Sequence, residues 1–191
     1  MTHSIILGID PGSQITGFCL LRPGRSQNLR DFRILDAGVI RPKKTLSHGD
    51  RLGQIHEAIF GLVDQYDPCV CVIEKGYTGI NHNSALRLGE TRGAIIAAAR
   101  RKKITIAEIT PTEVKKSVTG QGHASKEMIA ASVKQLVGFD RGTLPFDVTD
   151  AVAIALSHGI KSALESRINQ YNLNPSPSRA RPKTDRPKEL T

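Results

Sequence analysis

The chain has 191 residues, 39% of them hydrophobic and 24% charged, with a formal net charge of +9. That composition is ordinary for one folded domain, excludes disorder throughout, and contains no apolar run approaching the ~18 residues of a membrane span. An excess of 27 Lys and Arg over 18 Asp and Glu suits a polyanionic partner, most often nucleic acid.

In chain order, Ser4-Ile-Ile-Leu-Gly-Ile-Asp10 is a short apolar run and reads as a buried strand, broken by Pro11-Gly12-Ser13. Ile15 to Leu21 and Asp31 to Ile40 read as the next two strands, joined as antiparallel hairpins. Residues 47–66 have helical periodicity, with Leu52, Ile55, Ile59 and Leu62-Val63 on one face. Cys69 to Glu74 is a fourth strand. A helix follows to about Lys103, capped by Asn83 or Ser84, and Ile104 to Ile109 is the fifth strand. Thr110-Pro111 opens a short helix through Lys115, with Pro at its first position. Ser125 caps a helix over 126–137, and Asp147 to about Ser166 is the last helix. Strand, helix and strand in this order require a crossover, so the expected class is α/β with a mixed sheet and helices on its faces.

Residues 1–166 are thus expected to form one domain. Residues 167–191, Pro-rich and without apolar period, read as a disordered basic tail. Residues 172–191 carry +3, which leaves +6 on the body, so the basicity is not a tail effect. Five Phe, three Tyr and no Trp favour contact with a duplex backbone over a stacking platform for single strands. Cys19, Cys69 and Cys71 are odd in number, form no C-x-x-C pair and sit in apolar runs, so they read as buried thiols of a cytoplasmic protein. The N-terminus has neither the basic region nor the cleavage site of a signal peptide.

Two buried-looking strands end in an acid, Asp10 and Glu74. If those strands are neighbours, both carboxylates lie at one sheet edge. The last helix begins Asp147-Val-Thr-Asp150, a spacing of three that puts both acids on one face of its first turn. Singly, each acid has a plain structural reading: Asp10-Pro-Gly is a good turn and Asp147 a fair N-cap. Together, four convergent carboxylates repel one another unless cations lie among them. Carboxylate oxygens suit Mg²⁺, and two such ions can activate a water and stabilise the leaving oxygen of a phosphodiester. A basic surface with an acidic metal site points to a nuclease.

These residues resemble a known family. Ile6-Leu-Gly-Ile-Asp-Pro-Gly-Ser13, Ile73-Glu74, Asn83-Ser-Ala-Leu-Arg-Leu-Gly89, Arg92-Gly93, Val114-Lys115, Ala124-Ser-Lys126 and Asp147 to His158 look like the RuvC Holliday-junction resolvases, over roughly residues 4–160. The resemblance implies a ribonuclease-H-like fold with a five-stranded sheet. It also implies a homodimer acting on four-way junction DNA in recombination and repair, and a branch-migration motor of the RuvA and RuvB type as partner. Its four acidic positions fall on Asp10, Glu74, Asp147 and Asp150, as ligands of Mg²⁺, two per site, with Mn²⁺ able to substitute. Cleavage would leave a 5′-phosphate and a 3′-hydroxyl. Lys115 and Lys126 match basic positions near the cut phosphate, and Arg87 is a candidate DNA contact. Tyr77 is either a wedge at the junction centre or a packing residue. Many relatives read Glu-Gln-Val-Phe where this chain has Glu74-Lys-Gly-Tyr77, and Glu90 stands where Gln is common.

Three other readings compete. A ribonuclease H shares fold and acids but must read the 2′-hydroxyl. An actin-like ATPase has an Asp-x-Gly phosphate loop like Asp10-Pro-Gly12, but needs two related domains. A catalytically silent junction-binding module would have no use for intact acids. Gly120-Gln-Gly122 lacks P-loop spacing. Gly89-x-x-x-Gly93 suits either packing within the chain or a helix pair in a dimer.

Overall fold

The computed structural model describes residues 5–24, 31–76, 82–138 and 144–173. Tyr77 and residues 174–191 lie outside them. Five strands, β1 (Ile6–Asp10), β2 (Thr16–Arg22), β3 (Arg33–Ile40), β4 (Val70–Glu74) and β5 (Thr105–Ile109), form one sheet in the order β3-β2-β1-β4-β5. β1 pairs antiparallel with β2 and β2 with β3, while β1, β4 and β5 run parallel. The helices are α1 (His48–Tyr66), α2 (His82–Arg100), α3 (Pro111–Thr119), α4 (Lys126–Val137) and α5 (Phe146–Leu173).

Side chains alternate across a strand, and here the alternation decides everything that follows. Leu7 and Ile9 of β1, Leu20 of β2, and Cys71 and Ile73 of β4 pack with Ile55, Ile59, Val63 and Ile95 of α1 and α2. Ile6, Cys19, Leu21, Val70 and Val72 belong to the opposite core, with α5 and the buried Val114, Val118, Ile129 and Val133 of α3 and α4. Both faces of the sheet are covered, which is why its central strands read as continuous apolar runs. This is the expected mixed sheet with helices on both faces.

Several expected boundaries change. α3 continues past Lys115 to Thr119, because Val114 and Val118, one turn apart, are both buried and outweigh the polar run between them. Gly120 then ends it in a left-handed conformation, φ 79°, its amide donating to the Lys116 carbonyl, so that glycine serves as a helix cap. α5 runs through Leu173, so the boundary expected at residue 166 falls inside a helix. No Gly or Pro interrupts residues 160–173, and Pro175 is the first residue there that disfavours continuation. Asn83 and Ser84, expected at the start of α2, lie one and two residues inside its first turn. Cys19 and Cys71 are buried, which pushes both thiols up, but Cys69 is exposed. No described helix is long and apolar enough to cross a membrane.

Candidate active site

The register Ile9↔Ile73 makes Asp10 and Glu74 the last residues of adjacent parallel strands. By parity both belong to the face of Ile6, Gly8, Val70 and Val72, the face on which α5 lies. α5 crosses β1 and β2 unusually closely. A methyl group on Gly8 would come within 2.6 Å of the Ala151 carbonyl oxygen and 2.7 Å of the Ala155 amide nitrogen. One on Gly17, paired with Asp10 in the β1–β2 register, would overlap the Asp147 carbonyl oxygen. Absence of a side chain at these two strand positions therefore sets the height of the helix, and with it the position of Asp147 and Asp150 in its first turns.

The four acids feel one another. Burial and then the nearby charges of Glu74, Asp150 and Asp147 push the Asp10 carboxyl up to about 7, against the pull of Lys126. Burial raises Glu74, as does Asp150, while Lys126, Arg92 and Lys115 draw it down. Asp150 is raised by burial and drawn down by Lys126 and Lys115. Lys126, the first residue of α4, has its Nζ 3.5 Å from Asp150 Oδ2. Lys115 is half-buried on α3. Among the described residues no three acids, histidines or cysteines are drawn into one tight coordinating group. Repulsion between uncompensated carboxylates works against such closeness.

The raised Asp10 gives a stability prediction for metal-free protein. Its folded form holds a proton to about pH 7, whereas an unfolded aspartate has the ordinary value of 3.8. Folding is therefore favoured by protonation: the contribution is complete below about pH 4 and is lost as pH rises through 7. In EDTA, Asp10→Asn should melt close to wild type at pH 4 and above it at pH 8, by an amount on the order of a few kcal/mol. Thermal melts of both proteins across that range check it, and a constant difference would contradict the raised Asp10 carboxyl.

Arg92, of the Arg92-Gly93 motif, reaches from α2 to the end of β4, donating from Nη1 to the Glu74 carbonyl and from Nη2 to the Glu108 carboxylate on β5. The guanidinium fork thereby ties the backbone of Glu74 to two further elements. Its sequence signal was faint, one Arg with an acid in the following strand. Arg92→Ala should cost about 2 kcal/mol of stability, the scale of hydrogen bonds made by a charged, largely buried side chain. Urea denaturation measures this, and Arg92→Lys, which cannot span both acceptors, should recover only part.

The other candidates are more dispersed. Arg87 is exposed on α2, one turn before Thr91, whose hydroxyl donates to the Arg87 carbonyl at 2.8 Å. A Cβ at Gly89 or Gly93 would meet nothing within 4 Å among the described residues, so these two positions of α2 are open. Glu90 pairs with His48 of α1, Nε2 to Oε2 at 2.6 Å.

The family model described as crossover junction endodeoxyribonuclease RuvC matches residues 6–158, nearly the whole of the sheet and its helices. The chain belongs to the RuvC family. A protein of that description from Pelodictyon phaeoclathratiforme is 41% identical over 152 residues, covering 80% of this chain and 78% of the relative. One from Hydrogenovibrio crunogenus is 42% identical over 153 residues, covering 80% and 86%. Among solved structures, RuvC of Thermus thermophilus in complex with a Holliday junction substrate is similar to this chain with a TM-score of 0.78 and 26% identity, over 86% of this chain and 98% of that one. Family membership makes the chain a crossover junction endodeoxyribonuclease with the ribonuclease-H-like fold. A nuclease of this family depends on a divalent metal.

The donor set fits such an ion. It consists of carboxylate oxygens, the hard donors that Mg²⁺ prefers, with no described cysteine or histidine among them. The raised Asp10 and Glu74 carry the repulsion that a cation would relieve.

Proposed function

We propose that this chain resolves four-way DNA junctions by paired nicks, and that Asp10, Glu74, Asp147 and Asp150 hold two Mg²⁺ ions, which Mn²⁺ can replace. The observation that carries the reading is the shared face: strand parity and register put Asp10 and Glu74 beneath the helix whose first turns bear Asp147 and Asp150. Bound there, the ions would supply positive charge for an in-line displacement at phosphorus, leaving a 5′-phosphate and a 3′-hydroxyl. The protein's own part is positional. Gly8 and Gly17 let α5 settle on the strands, Arg92 secures the Glu74 backbone, and Lys126 and Lys115 lower the cost of gathering four carboxylates and an incoming phosphate. Arg87 would contact DNA beyond the cut, and Tyr77 would meet the junction centre.

A homodimer would present two such sites to a two-fold symmetric substrate, and the open Gly89–Gly93 face of α2 suits a close helix pair. A motor of the RuvA and RuvB type would be its partner, in the cytoplasm where the chromosome lies.

A four-way junction and an RNA–DNA hybrid, each offered with Mg²⁺ and with EDTA, test this. Symmetric nicks in the junction with Mg²⁺ alone are expected. Cutting of the hybrid in preference to the junction would favour a ribonuclease H instead. Lys126 adds a sharper test, because its charge matters most as negative charge builds on the phosphate. Lys126→Ala should lower the single-turnover rate about a hundredfold while changing junction affinity little. If it is only one backbone contact among many, affinity will fall instead and the salt slope will drop by about one.

A further inference from the structure

The chain is poor in aromatic residues, yet one stands at the candidate site with its ring mostly in solvent. Phe146, the first residue of α5 and the neighbour of Asp147, is 53% exposed. The other exposed large apolar side chains of α5, Leu164, Ile168, Tyr171 and Leu173, belong to the far end of that 28-residue helix. Phe146 therefore does not continue their stripe, and it contributes to neither buried core.

Its surroundings are specific. Lys126 Nζ lies 5.8 Å from the ring centroid and also 3.5 Å from Asp150 Oδ2, so ring, ammonium and carboxylate are linked through one cation. The ring's attachment is firm. The Pro145 carbonyl accepts from the Val148 amide at 3.1 Å, the Thr149 amide at 2.9 Å and the Thr149 hydroxyl at 3.1 Å, and Pro145 restricts its own φ. An apolar ring left half in water beside a charged site gains little in the free protein beyond that cation contact. It gains if a flat apolar surface comes to rest on it. A phosphate taken by Lys126 brings such a surface, because each phosphate carries its nucleoside with it.

We propose that the Phe146 ring stacks on the nucleobase adjoining the scissile phosphate, and so positions that nucleotide for cutting. This rests on the junction-cleaving function proposed above. Every base has a π-face, so one ring can serve here whatever the base, and a Phe has few torsions to restrict. The contact complements Lys126: the lysine takes the phosphate and the ring it sits over takes the base.

A single abasic site stepped across the cut in the cleaved strand tests it. In wild type, one position should lower kcat/KM by roughly tenfold, the scale of one stacked base. Phe146→Ala on intact junction should lose about as much, and should be insensitive to the abasic site at that position while penalties elsewhere stay the same. Phe146→Leu, which keeps apolar bulk under Lys126, should behave as the alanine variant does, and Phe146→Trp as wild type. An abasic profile identical in wild type and Phe146→Ala would overturn the proposal. So would a Phe146→Leu variant indistinguishable from wild type, since bulk and not stacking would then be the role. The chain has no Trp, so Phe146→Trp is also a lone fluorescent reporter. In EDTA, its emission should be quenched by intact junction and not by the junction abasic at the critical position; equal responses to both would count against stacking. If the wild-type chain cuts no four-way junction, the proposed function fails; the stepped abasic series read by Phe146→Trp quenching in EDTA still decides the role of the ring, since quenching lost at one position supports stacking and quenching lost at none overturns it.

Discussion

Asp10→Asn is expected to stop cleavage, with the single-turnover rate falling roughly a thousandfold or more and junction affinity nearly unchanged. The substitution keeps size and shape but removes the charge of the acid that feels all three others. A divalent ion supplies several kcal/mol of charge stabilisation at a phosphoryl group, and each 1.4 kcal/mol is about tenfold in rate. Affinity comes instead from phosphates on a basic surface, which the change leaves alone. Cleavage in Mg²⁺ and a binding titration in EDTA, run on the same junction, separate the two quantities. Cutting by Asp10→Asn at the wild-type rate would remove Asp10 from the site. Glu74→Gln and Asp150→Asn should follow the same pattern. Mg²⁺ should raise the melting temperature of wild type and leave that of Asp10→Asn nearly where it was.

Gly17→Ala should be nearly as damaging to cleavage although it touches no charge. Its methyl group would occupy the space of the Asp147 carbonyl oxygen, which is backbone and cannot swing aside like the end of a side chain. Either the first turn of α5 rises from the sheet or β2 bows away from it. In both cases Asp147 and Asp150 shift relative to Asp10 and Glu74, and an error near 1 Å in a catalytic constellation costs about a hundredfold. Overpacking also costs about 1–3 kcal/mol of stability, so the variant should melt lower yet remain folded. Circular dichroism confirms the fold, and cleavage of the junction reads the loss. A compensating Ala151→Gly, which removes the nearest side-chain atom, should recover little, because the Asp147 backbone remains in the way. Wild-type activity in Gly17→Ala would mean that the height of α5 does not control the acids.

Much of this arrangement is legible along the chain. The two cores demand strands of continuous apolar residues and helices of period 3.6, and both patterns are local. Ser125 and Thr110 announce their helices through hydrogen bonds made within three residues, 3.3 Å to the Met128 amide and 3.2 Å to the Glu113 amide, so these starts could be placed closely. Asp10, Glu74, Asp147 and Asp150 stood out because acids at the ends of apolar elements are costly unless something uses them. Helix ends were harder. Whether α3 stops at Lys115 or at Thr119 depends on whether Val118 finds a buried place, and that place is made by elements distant in sequence.

By itself the sequence determined the element order, the α/β class and the family, and it singled out the four acids as candidates, since each rests on local periodicity, composition or motif spacing. Only the tertiary structure decided that Gly8 and Gly17 admit α5, that Arg92 ties the Glu74 backbone to Glu108, and that Phe146 stands under Lys126. Each of these joins residues from different elements, brought together by strand register and helix packing. A glycine in a strand or an arginine on a helix has the same local signature whether or not a backbone or a carboxylate waits across the gap. The physical difference is a distance between elements, and that distance exists only once the chain has folded.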